Sequence, residues 1–143
     1  MDSSPASSGL SDSQVPKQNL SILIAEDVAV NQMVAVAILE RLGYTADVVE
    51  NGAQAVEATQ RKAYQLILMD ICMPEMDGLD ATREIRHTTG SPVQPWIVAV
   101  TAHAILGDKE KCLAAGMNDY VTKPISVKAI AAAIDRCQQS LVA

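Results

Sequence analysis

The chain has 143 residues, enough for one domain around a single core. With 49% hydrophobic and 20% charged residues it has a globular composition, not a disordered one. A net charge of −6, no Phe, three Tyr and one Trp exclude a module that holds nucleic acid by basic patches or aromatic stacking.

Residues 1–18 contain six serines, two prolines and one glycine, with little to bury. They predict a disordered tail or linker, leaving the folded domain at 19–143. Residues 20–25, Leu-Ser-Ile-Leu-Ile-Ala, read as a first strand that ends in Glu26-Asp27. A helix is expected over 30–42, with Gly43 as a left-handed stop. On a 3.6-residue period Asn31, Val34, Ala35, Ile38 and Leu42 share its core face. Met33, Val36 and Ala37 fall toward the other side, which is more apolar than solvent requires. These three are read as a partner-docking face, the alternative being scattered surface apolars.

Residues 44–49 give a short second strand near an edge. Asn51-Gly52 turns the chain into a helix over 53–62, with Ala55, Val56 and Ala58 among its small residues. The run Leu66-Ile67-Leu68-Met69 has no polar residue and no alternation, as in a strand covered on both faces. Pro74 and Gly78 break the chain soon after, so Asp70 stands at the carboxyl end of a central strand. Open α/β sheets put their chemistry there.

A third helix is expected over 79–86 and a loop over 88–95, which holds Gly90, Pro92 and Pro95. Trp96-Ile97-Val98-Ala99-Val100 is another buried strand, ending in Thr101. A fourth helix over 107–115 would be stopped by Gly116. Tyr120-Val121 forms the core of a short last strand before Thr122-Lys123-Pro124. Ser126 caps a final helix to residue 139, with Ile130, Ile134 and Cys137 facing the core. Strand and helix thus alternate five times, which implies a doubly wound parallel sheet with helices on both faces.

Cys72, Cys112 and Cys137 are odd in number and widely spaced, which is no disulfide framework and points to a reducing cytoplasm. His87 and His103 do not combine with them at zinc-ligand spacing. No run approaches the roughly 20 apolar residues of a membrane span, so no direct membrane contact is expected. The N-terminus lacks the basic-then-apolar pattern of a signal peptide.

Four strand ends carry reactive groups: Glu26-Asp27, Asp70, Thr101 and Lys123. A doubly wound sheet gathers such ends on one rim. Three carboxylates in one space must keep protons or hold a cation. Oxygen ligands without a His or Cys cluster favour Mg²⁺. The rim would then attract a phosphoryl group, with Lys123 supplying charge, Thr101 a hydroxyl and Asp70 the nucleophile. Singly, Glu26-Asp27 reads as a solvated loop, Thr101 as a cap and Lys123 as a surface charge. It is their agreement in order and type that carries the reading.

The motifs Ile-Leu-Ile-Ala-Glu26-Asp27, Leu-Ile-Leu-Met-Asp70-Ile-Cys-Met-Pro74-Glu-Met-Asp-Gly78, Ile-Val-Ala-Val-Thr101-Ala102 and Asp-Tyr120-Val-Thr-Lys123-Pro124 resemble the receiver domain of two-component response regulators. The likeness spans residues 19–143. It implies a flavodoxin-like α/β fold, five parallel strands in the order 2-1-3-4-5 with five helices. It also implies phosphorylation of Asp70 by a phosphohistidine on a histidine kinase or histidine phosphotransfer protein. Glu26, Asp27, Asp70 and the backbone carbonyl of Cys72 would hold Mg²⁺. Thr101 and Lys123 would contact the phosphoryl oxygens, and Tyr120 would be the switch aromatic that follows Thr101. The Lys123-Pro124 bond is typically cis in the family.

Val30-Asn31-Gln32 and Leu42-Gly43-Tyr44 look most like receivers of hybrid histidine kinases. The domain alone would gain and lose its own phosphoryl group, while a parent hybrid protein would be a histidine kinase. A stand-alone regulator or phosphorelay shuttle is the alternative. Cys72 stands where many relatives carry a polar side chain, two residues after Asp70. It also replaces the second Asp that an aspartyl-phosphate phosphatase would need. A flavodoxin-like electron carrier is disfavoured by Glu26-Asp27, which would repel the FMN phosphate. A degenerate receiver that only binds partners is disfavoured by the intact Asp70, Thr101 and Lys123.

Overall fold

The computed structural model describes residues 20–73, 75–88, 94–102 and 106–142. The expected tail at 1–18, part of the 88–95 loop, Pro74 and His103 lie outside the described residues. Ten elements alternate along the chain: β1 Ile22–Ala25, α1 Ala29–Arg41, β2 Ala46–Val49, α2 Gly52–Arg61, β3 Leu66–Asp70, α3 Gly78–Thr88, β4 Trp96–Thr101, α4 Leu106–Ala115, β5 Asp119–Thr122 and α5 Val127–Val142.

All strand pairs are parallel, in the order β2-β1-β3-β4-β5. β3 is central, with Leu66 opposite both Ile22 and Trp96. Every residue of β1 and β3 is buried, as their unbroken apolar runs require. The two-residue period of a strand then divides the interior into two cores. Ile22, Ile24, Leu66, Leu68, Val98 and Val100 pack under α1 and α5. Leu23, Ala25, Ile67, Met69, Ile97 and Ala99 pack under α2, α3 and α4. Cys137 lies in the first core and Cys112 in the second, so the sheet separates them.

Two expected strands start later than the apolar runs suggest. Leu20 and Ser21 precede β1, and Ser21 is tied instead to Gln65, whose side-chain oxygen accepts from the Ser21 amide while Ser21 O accepts from the Gln65 amide. Tyr44 is buried but stands before the short edge strand β2. The helix stops behave as read. Gly43 has φ +96°, and the Tyr44 and Gly43 amides donate to the carbonyls of Leu39 and Glu40, the paired closing bonds of a Schellman turn. Ser126 Oγ accepts from the Ala129 amide ahead of α5, and Ile130, Ile134 and Cys137 are buried.

The face of α1 needs correction. Ala35, Ile38 and Leu39 are its buried residues, while Val34 is exposed. Val36, read as outward, is half-buried against the first core. The helix is apolar nearly all round, so periodicity leaves its angle about the axis undetermined, and packing turns it toward Leu39.

Candidate functional site

The ends of four strands, β1, β3, β4 and β5, bring the reactive residues together at the carboxyl end of the sheet. Just past β1, the Glu26 amide donates to Val49 O at 3.0 Å, which fixes the chain where it leaves the ladder. The Glu26 side chain turns inward and is buried, whereas Asp27 is exposed. The first turns of α1 hold Glu26 in place. Its Oε2 accepts from the Val28 amide at 3.0 Å and from Asn31 Nδ2 at 3.4 Å, and its carbonyl accepts from Gln32 Nε2 at 2.6 Å.

Asp70 is the last residue of β3 and is 2% exposed. Its Oδ1 accepts from the Cys72 amide at 3.0 Å, and its Oδ2 accepts from Lys123 Nζ at 3.0 Å. Lys123 Nζ also lies 3.5 Å from Glu26 Oε1. The Lys123 amide donates to Thr101 O at 2.8 Å, and Thr101, the buried last residue of β4, is opposite Thr122 in β5. The Lys123-Pro124 peptide is cis.

This geometry sets the electrostatics. Burial pushes the Glu26 carboxyl above its usual range, opposed by the Val28 amide and reinforced by the Asp70 charge. Desolvation alone would lower the Lys123 ammonium, but its hydrogen bond to Asp70 and the charges of Asp70 and Glu26 outweigh that and raise it. Carboxylate oxygens of Glu26, Asp27 and Asp70 lie within 4.8 Å of one another. Three ionised carboxylates and one ammonium leave two negative charges, which a divalent cation would balance. The donors are hard oxygens, the set that suits Mg²⁺.

The remaining candidates are spread around this centre. Cys72 is exposed beside Asp70. Tyr120 is half-buried on β5, with Lys109 Nζ 5.6 Å from its ring centroid. Met33 is 68% exposed and Ala37 is exposed, and together with half-buried Val36 they line a shallow groove that reaches Val48 of β2. Sequence reasoning missed that Val28, Val30 and Val34 extend this apolar surface toward the rim. It also missed a cleft of about 320 Å³ between α1 and residues 123–125, floored by Ile24, Leu68 and Val100, with Glu26 and Lys123 at one end. Asn31, expected on the core face of the helix, and Gln32 bond instead to Glu26, and their five- and six-residue spacing from it is the signal in the sequence for that role. Among the described residues no helix is long and apolar enough to cross a membrane.

Residues 22–135 match the family model described as the response regulator receiver domain. The aerobic respiration control sensor protein ArcB of Escherichia coli is 40% identical over 122 residues, covering 85% of this chain and 16% of ArcB. The probable histidine kinase 1 of rice is 40% identical over 139 residues, or 14% of its length, so the chain spans a small part of these relatives. Among solved structures, the receiver domain of a sensor histidine kinase from Pseudomonas aeruginosa, with a magnesium ion coordinated in its active-site cleft, superposes with a TM-score of 0.73 at 46% identity. That match covers 82% of this chain and 95% of the other. A chain from the co-crystal of the Saccharomyces cerevisiae phosphotransfer protein Ypd1 with the receiver domain of Ssk1 gives 0.73 at 31% identity, covering 80% and 85%.

Proposed function

The chain belongs to the response regulator receiver family of two-component phosphorelay signalling, and on that premise we propose that Asp70 accepts a phosphoryl group from a phosphohistidine partner. The observation that carries this is a buried carboxylate with one oxygen on Lys123, inside a cluster of three carboxylates.

In the transfer, an oxygen of Asp70 bonds to phosphorus as the P–N bond to the donor imidazole breaks, and the bonding pair leaves with the ring nitrogen. Lys123 shifts from Asp70 toward the incoming phosphoryl oxygens, and Thr101, tied to it through the 2.8 Å backbone bond, offers its hydroxyl from the next strand. Glu26, Asp27, Asp70 and the Cys72 carbonyl are the residues that would hold Mg²⁺. When bound, the ion neutralises charge on the phosphoryl oxygens. Tyr120 reports the shift by moving with Thr101.

The donor is a histidine kinase or a histidine phosphotransfer protein, as in the Ypd1–Ssk1 pair. It docks on the exposed apolar side of α1, which includes Met33, Val36 and Ala37 and runs to the rim through Val30 and Val34. We assign the domain to a cytoplasmic part of a hybrid sensor kinase, because the relatives it matches are long kinases of which it spans only a fraction.

The test is labelling with acetyl phosphate. The wild type gains one phosphoryl group in a Mg²⁺-dependent manner, and Asp70→Asn gains none. Equal labelling of both proteins rules the assignment out.

A further inference from the structure

The loop that leaves Asp70 returns to the sheet end through two unusually close backbone approaches. A Cβ on Gly78 would stand 2.3 Å from Asp70 O, inside the loop itself. The second approach comes from outside. A Cβ on Gly52, the first residue of α2, would stand 2.2 Å from Met76 O and 2.9 Å from Met76 C. Both are backbone atoms, so no side-chain rotation relieves the clash.

The contact is also a bond. The Gly52 amide donates to Met76 O at 3.0 Å. As one of the first amides of a helix it has no partner within α2, and the positive end of the helix favours a carbonyl there. The helix start is itself held firmly. Asn51 Oδ1 accepts from the Gln54 amide at 2.8 Å, and Gln54 Oε1 accepts from the Glu50 amide at 2.7 Å, a reciprocal capping arrangement. At the far end of the loop, Asp77 Oδ1 accepts from the Asp80 amide and starts α3. Between them Glu75 has φ +68°, a left-handed conformation that costs energy in a residue with a side chain and must be held by its surroundings.

We propose that Gly52 is a positioning residue for the phosphoryl-acceptor site: it seats the Met76 carbonyl against α2 and thereby sets the backbone of residues 71–73 and 75–77, including that of Cys72, beside Asp70. This rests on the reading of Glu26, Asp27, Asp70 and Cys72 as the Mg²⁺ site. Among the described residues α2 contributes none to the acidic cluster, and the Gly52 amide bonds to Met76 O, so the effect is expected through the loop backbone.

The test compares Gly52→Ala with Gly43→Ala in the full chain. Gly43 has a positive φ but open space around a new Cβ, so its variant is strained without pushing on anything. Magnesium affinity is read from the amide NMR shifts of residues 70–73 and 75–78 on titration with MgCl₂, beside thermal melts in EDTA. Gly52→Ala is expected to weaken Mg²⁺ about tenfold, the lower end for partners that act through a ligand. Gly43→Ala is expected to melt lower with Mg²⁺ affinity unchanged. A second pair covers a Gly52→Ala protein that does not fold: Asn51→Ala, which frays the start of α2, weakens Mg²⁺, and Asn51→Ser, which keeps an acceptor oxygen, restores it. Wild-type affinity in Gly52→Ala, or in Asn51→Ala where Gly52→Ala does not fold, overturns the proposal while leaving the metal site standing. A wild type that shows no Mg²⁺ response overturns the site reading, and this inference with it.

Discussion

Lys123 Nζ meets Asp70 Oδ2 at 3.0 Å across the end of β4, and the same ammonium reaches Glu26 Oε1 at 3.5 Å. One cation thus serves buried carboxylates from the ends of β1 and β3. It is the internal counter-ion of the site.

Lys123→Ala removes that counter-ion. Two buried carboxylates then face each other and Asp27 with no cation between them, so the metal-free protein should lose about 1–3 kcal/mol. Mg²⁺ should restore a larger share of stability in the variant than in the wild type, because it now supplies all the compensating charge. Urea melts with EDTA and with MgCl₂ check this. Equal metal-free stability of the two proteins would show that the ammonium is dispensable there.

Docking on α1 is tested best at Met33. Val36 is half-buried against the core, so a charge there would confound folding with docking. Met33 is 68% exposed and can take a carboxylate without cost to the fold. Met33→Asp should slow transfer from a phosphorylated histidine phosphotransfer protein strongly, with labelling by acetyl phosphate unchanged. If both donors slow alike, or neither does, the apolar side of α1 is not where the partner sits.

Alkaline stability should report Tyr64. Its hydroxyl donates to Asp47 Oδ2 at 2.6 Å, and burial first, then the Asp47 bond and charge, push its pKa up to about 12. A folded value above the unfolded value of about 10 means stability that is complete below pH 10 and lost as pH rises through 12. The size is on the order of 2 kcal/mol. In Tyr64→Phe this loss between pH 10 and 12 should vanish from the stability profile, leaving only that of the other groups. An unchanged alkaline profile would contradict the Tyr64–Asp47 bond.

Arg86 near the end of α3 should matter for folding and not for chemistry. Its guanidinium donates to Gly116 O from Nε and Nη2 at 2.9 and 2.8 Å, to Pro95 O at 2.8 Å, and to Asn118 Oδ1 at 2.8 Å. Asn118 Oδ1 in turn accepts from the Ile97 amide, so one side chain joins α3, β4 and the turn before β5. Arg86→Leu should cost about 2–3 kcal/mol by leaving those carbonyls unpaired. Mg²⁺ affinity and acetyl phosphate labelling of the folded variant should match the wild type, and a selective loss of labelling would count against a structural role.

Legibility in the sequence followed physical range. The runs Leu66–Met69 and Trp96–Val100 announced a doubly covered sheet because burial on both faces leaves no alternation to misread. Asp70 and Thr101 were legible because each closes or follows such a run directly, and Lys123 because it stands at the matching end of the short last strand. What the sequence could not separate was Glu26 from Asp27. Two adjacent carboxylates look alike, and only the inward turn past Ala25 buries one and exposes the other. The orientation of α1 was hidden by apolar residues on nearly every side. The Arg86 bonds span 30 residues to Gly116, and the Gly52–Met76 approach joins two elements; both exist only once the sheet has brought distant segments together.

The central place of β3 bears on how long the signal lasts. This strand has hydrogen-bonded neighbours on both edges and no exposed residue. Strands of that kind open only when the whole domain does. On the proposed reading an acyl phosphate on Asp70 would therefore sit at the end of a strand that does not fray on its own. On that reading its hydrolysis would be timed from above, by side chains that border the open rim without holding the ion, such as exposed Cys72, so a substitution there would retime the signal without loosening the scaffold beneath it.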